Sequence, residues 1–168
     1  KGFGVLNYII AVFSIISPIS ALGFNALVTK ELVLKKDRQF EIMSTTLTFR
    51  IAGAGVALFL ILCGIKLNVF SQIEQYSWAL ILLSLVNILT ALHIIDFWFQ
   101  AKVASKYIVL SRFLVIFSFF VIKAVLIYLS ANLQVFIWVI ALEYSFICLA
   151  FLVIYYLHNG RFSFSSIN

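Results

Sequence analysis

The chain has 168 residues, 64% of them hydrophobic and 11% charged, with a mean hydropathy of +1.15. That is too little charged surface for a water-soluble globule. A net charge of +6 would suit nucleic acid, but the basic residues lie between apolar runs, where orienting spans in a bilayer is the better use for them. The runs are long rather than short and alternating, so the expected class is an all-α integral membrane protein without a nucleic-acid partner, not a β-barrel.

A helix rising about 1.5 Å per residue needs about 20 apolar residues to cross about 30 Å of hydrocarbon. Five stretches reach that length, at about 5–28, 44–67, 76–98, 108–129 and 134–156, and residues 1–168 read as one helical bundle. The connections are short, so consecutive helices are expected to be antiparallel neighbours.

In the first stretch Asn7, Ser14, Pro18, Ala21 and Asn25 fall on one face. Pro18 is flanked by Ser17 and Ser20, and it removes a backbone hydrogen bond and kinks the helix. The second stretch places Thr46 and Arg50 on a shared face, followed by Gly53 and Ala57, a small pair that permits close packing. The third carries Asn87, Thr90, His93, Asp96 and Gln100 at steps of three and four. These are expected to form a polar stripe facing a wet lumen, the alternative being a helix–helix hydrogen-bond seam. Arg50 is expected to reach down and neutralise Asp96. Arg112, near the start of the fourth stretch, lies close enough to the cytoplasmic interface to snorkel.

Lys123 lies roughly 10 Å and Glu143 roughly 13 Å inside their spans. The tight Ser130–Ala131–Asn132–Leu133 turn brings the two helices together as a hairpin. The two charges are either a buried structural ion pair or the lining of a cavity that meets a charged substrate or a proton. Cys63 and Cys148 sit in apolar runs and read as inert core thiols. His93 and Asp96 are too few ligands for a metal, and no catalytic constellation is present, so neither an enzyme nor a cofactor is expected.

The loops carry unequal charge. Lys30, Lys35, Lys36, Arg38, Lys102, Lys106, Arg112 and Arg161 stand against Lys1 and Lys66, eight basic residues to two. The positive-inside rule then places the first loop, the third loop and the tail in the cytoplasm and the N-terminus outside. With no signal-peptide pattern at the start, that orientation implies an earlier helix before Lys1. Trp78 and Trp138 are expected near one interface and Trp98 near the other.

Several segments together resemble the Wzx-type polysaccharide flippases of the multidrug/oligosaccharidyl-lipid/polysaccharide exporter superfamily. "KGFGVLNYIIAVFSIISPISALGFNALVTKELV" resembles that family's second helix and "STTLTFRIAGA", with Arg50, the start of its third. "IIDFWFQAKVASKYIVLSR" resembles the junction of the fourth and fifth helices. "FFVIKAVLIYL" and "VIALEYSFICLAFLVIYY" resemble the fifth and sixth, with Lys123 and Glu143. The resemblance covers nearly the whole chain and implies most of the N-terminal lobe of a two-lobe flippase fold, without its first helix and its C-terminal lobe.

The implied cargo is an undecaprenyl-diphosphate-linked oligosaccharide, such as an O-antigen unit, moved across the bacterial inner membrane. A diphosphate needs charge-assisted partners away from water. Arg50, Arg112 and Lys123 would attract it, and Glu143 and Asp96 would balance them or couple an ion. His93, Asn87 and Asn25 would line the same cavity. The alternatives are a drug or cation antiporter of the same superfamily and a non-transporting scaffold subunit.

Overall fold

The computed structural model describes residues 2–21 and 25–159. Seven α-helices follow in order, with no strand among the described residues: α1 (Gly2–Ala21), α2 (Asn25–Leu34), α3 (Gln39–Lys66), α4 (Ser77–Leu89), α5 (Ile94–Ala101), α6 (Ser105–Tyr128) and α7 (Leu133–Asn159). A 3₁₀ turn at Thr90–His93 joins α4 to α5, making one continuous rod of Ile73–Ala101. That rod, α3, α6 and α7 are the four helices long and apolar enough to cross a membrane. The apolar part of α1, Gly4–Pro18, is shorter. The expected first span also includes residues 22–24, which with Lys1 and Arg161 lie outside the described residues.

The α4–α5 rod is the most enclosed of the four and forms the centre of the bundle. Around it α3 packs on α1 and α4, α2 on α5, and α7 on α4 and α6. On α3 the buried face is Arg50, Gly53, Ala54, Ala57 and Ile61; its small residues let α1 and α4 approach closely. Gln39 Nε2 donates to the Leu32 carbonyl at 2.9 Å, fixing the start of α3 to the end of α2, five residues before the expected boundary.

The apolar interior is split in two. One cluster gathers Ile9, Phe13, Ile61, Leu80, Leu83, Ile137 and Ala141 around α4. The other gathers Leu32, Met43, Ile95, Phe99, Ile108, Phe151 and Tyr155 around α5. The rod contributes its first half to one cluster and its second half to the other, and the 3₁₀ turn falls between them.

Trp78 and Trp138 stack with ring centroids 6.2 Å apart, so α4 and α7 present them together. Trp98, expected near the other interface, lies three residues before the end of α5. It is buried, edge-on to Phe99 and Tyr155, and the Lys102 ammonium sits 3.7 Å from its ring centroid. The basic loop residue, rather than the indole, meets the surroundings.

Helices α3, α5 and α6 end alike. The amides of Val69, Ala104 and Ala131 donate back to the carbonyls of Gly64, Phe99 and Leu126, and the residue before each adopts a left-handed conformation. Those residues are Asn68, Val103 and Ser130, with φ of 54°, 55° and 51°. Asn suits this role, whereas a β-branched residue does not, because its Cβ crowds the following carbonyl. Val103 is also 93% exposed, so no packing would be lost on its replacement. Val103→Gly is therefore expected to stabilise the chain by about 1 kcal/mol. An unfolding midpoint equal to or below that of the native chain would refute this account of the α5 terminus.

Candidate functional site: a cationic chamber between two apolar clusters

Where the two clusters part, polar side chains from all seven helices meet around a cavity of about 290 Å³. Ser17 comes from α1, Asn25 from α2, Arg50 from α3, Asn87 from α4, Asp96 and Phe97 from α5, Arg112 from α6 and Tyr144 from α7. The 3₁₀ turn supplies Thr90, Ala91 and His93.

The third-span stripe reaches this chamber for a reason the spacing alone did not carry. Residues three apart in an α-helix turn through about 300°, so Asn87 and Asp96 would end on opposite sides of a straight helix. A 3₁₀ turn winds at about 120° per residue, which brings residues three apart back into line. The overwound Thr90–His93 segment recovers part of the slip, so Asn87, Thr90, His93 and Asp96 all face the cavity. Gln100, a step of four further on, is exposed and lines a separate surface recess with Lys30.

Two hydrogen-bonding zones divide the chamber. Towards α1 and α4, the Ser17 hydroxyl donates to Asn87 Oδ1 at 3.5 Å. The Thr90 hydroxyl lies 2.6 Å from the Asn87 carbonyl and 3.1 Å from Asn87 Oδ1. This part is the hydrogen-bond seam that the sequence left as an alternative. Towards α3 and α6 the groups are charged. Arg112 Nη2 donates to Asp96 Oδ2 at 2.9 Å, and its guanidinium lies 5.0 Å from the Phe151 ring centroid. Arg50 is 7% exposed, donates to the neutral Asn25 Oδ1 at 2.6 Å and lies 5.0 Å from the Phe97 ring centroid.

Two expectations are corrected here. Asp96 is neutralised by Arg112, not by Arg50. Arg112 points inward to that carboxylate rather than snorkelling, because it lies on the same face of α6 as the buried Ile108. The consequence is a charge imbalance: with one carboxylate satisfied by Arg112, Arg50 has no carboxylate bonded to it among the described residues. Among the described residues the buried His93 Nε2 has no hydrogen-bond partner, although burial ordinarily demands one.

Of the remaining expected site residues, Lys123 and Glu143 bond one another across α6 and α7 as a half-buried ion pair and do not line the chamber. Asn7, Ser14 and Pro18 share a face of α1, as the spacing predicts, but that face is exposed, and Ser17 is the α1 residue that reaches the chamber. Phe97 and Tyr144 escaped the sequence reading. Each stands beside a noted acid, Asp96 and Glu143, and the aromatic neighbour of an intramembrane charge was the signal available.

Compared with known proteins, the chain matches no protein-family model, no curated protein and no solved structure.

Proposed function

We propose that the chain is the membrane-embedded lobe of a flippase for an anionic isoprenoid-diphosphate-linked oligosaccharide. The observation that carries this reading is Arg50: a buried guanidinium, bonded among the described residues only to a neutral amide, facing a chamber to which every helix contributes. Removing a cation from water is costly unless a counter-charge arrives, so such a site favours an anion. A diphosphate offers several acceptor oxygens to the planar guanidinium.

In this reading the first apolar stretch of the chain supplies a fifth span. The first and third loops and the tail face the cytoplasm of a bacterial inner membrane, and a C-terminal lobe closes the other side of the transport path. A drug or cation antiporter would use a free carboxylate in its chamber. Asp96 is the chamber's carboxylate, and Arg112 already occupies it.

The reading is tested with inorganic pyrophosphate titrated into the purified chain. Native protein should bind it, and Arg50→Gln should weaken binding by about ten- to a hundredfold, the worth of a charge-assisted contact. Arg50→Lys, which keeps the charge, should fall between. Equal affinity for native and Arg50→Gln protein would overturn the assignment.

A further inference from the structure

A second cavity, of about 430 Å³, runs between α2 and α3 and ends at the same arginine. Its walls are Leu27 and Val28 on one side and Ile42, Thr45 and Phe49 on the other, and most of its lining is apolar. Four charged residues stand along it, but they pair among themselves. Lys35 Nζ lies 2.6 Å from Glu31 Oε2, and Arg38 Nε lies 3.9 Å from Glu41 Oε2. From Glu41 to Arg50 the groove follows nine residues of α3, about 13 Å of helix. It therefore offers hydrocarbon along its length, a self-neutralised rim at one end and, at the other, a cation with no carboxylate bonded to it among the described residues. Arg50 lines both this groove and the polar chamber.

We propose that the groove holds the hydrocarbon chain of the same lipid whose diphosphate sits at Arg50, so that the substrate is admitted sideways between α2 and α3. The inference rests on reading the chamber as an anion site and adds where the apolar part of the ligand lies. The charge pattern selects this occupant. A peptide segment would bring backbone groups that the apolar walls leave unsatisfied, and a neutral hydrophobe would leave Arg50 without a counter-charge. An amphiphile with one anionic end satisfies both ends of the groove.

Farnesyl diphosphate and inorganic pyrophosphate, titrated into the purified full chain, separate the two parts. Native protein should bind farnesyl diphosphate at least about tenfold more tightly than pyrophosphate, because the chain removes apolar surface from water. Leu27→Trp and Thr45→Trp each fill the groove from an exposed wall position on opposite helices. Both should abolish the farnesyl advantage while leaving pyrophosphate affinity within about twofold of native. The retained pyrophosphate binding also shows that each variant is folded. If native protein binds pyrophosphate but gains nothing from the farnesyl chain, the groove proposal falls and the chamber reading stands. If both tryptophan variants lose pyrophosphate binding in step with farnesyl diphosphate, the groove is not a separate tail site and the proposal falls. If neither probe binds native protein, the chamber reading falls and takes the groove with it.

Discussion

Lys123→Ala will destabilise the chain by about 3 kcal/mol, while replacing both Lys123 and Glu143 by leucine will leave stability close to native. The Lys123 ammonium donates to Glu143 Oε2, and the two hold the last turns of α6 against α7. Neither lines the chamber. Removing the lysine leaves a carboxylate facing apolar helix surface with no counter-ion. In a bilayer, water cannot compensate for it as it would on a soluble protein. Glu143→Ala should cost a similar amount by stranding the ammonium. The leucine pair removes both charges together and fills the space with packing, which often equals or exceeds a buried ion pair. Unfolding midpoints of the four proteins in detergent test this. If the leucine pair is as unstable as the single variants, a purely structural pair is ruled out.

The geometry here favours the structural alternative over substrate attraction by Lys123. The sharper measurement is pyrophosphate affinity, which the leucine pair should leave unchanged.

Asp96→Asn has the opposite character: it should raise anion affinity. At present the Asp96 carboxylate cancels Arg112, so Arg50 alone gives the chamber its excess charge. Converting the acid to an amide keeps a hydrogen-bond acceptor for Arg112 Nη2 but removes the negative charge. Two guanidinium groups then face the cavity. At an effective dielectric of about 20, removing one unit charge about 8 Å from a unit anion changes its energy by about 2 kcal/mol. The expected outcome is pyrophosphate binding tighter by about tenfold or more, accompanied by a lower unfolding midpoint in the absence of ligand. In the double variant Asp96→Asn/Arg112→Gln the gain should disappear. Unchanged affinity in Asp96→Asn would mean that the Asp96 carboxylate lies too far from the bound anion to be felt.

The sequence made the helices legible because long apolar runs leave little choice of structure. The 3₁₀ turn was hidden, since Thr90–His93 carries no glycine or proline to mark it, and with it the reason that residues spaced by three share a chamber. Arg50, Asn25, Asn87, His93, Asp96 and Arg112 were each suspect as polar groups in apolar surroundings, and they converge. Their pairing was not legible. Sequence distance favours no particular carboxylate for a long arginine side chain, and depth along the chain pointed Asp96 to Arg50 when helix rotation gave it to Arg112. The groove between α2 and α3 was equally out of reach. It depends on how α2 lies against α3 after the short 3₁₀ turn Lys36–Arg38, which no periodicity encodes.

The two bonded cations of α6 fix more than charge. Arg112 and Lys123 are eleven residues apart, three helical turns with only about 20° of residual rotation, so both stand on one meridian of the helix about 16 Å from each other. Most of the rest of α6 faces outward, Ile108 and Phe119 being its buried side chains, so interlocking shape does little to hold its height or azimuth. The helix is mounted at two points, one on α5 through Asp96 and one on α7 through Glu143. Any one-residue insertion or deletion between them would swing one mount by about 100° relative to the other. Apart from the buried Phe119, the intervening residues can then vary in their apolar identity, but not in their number.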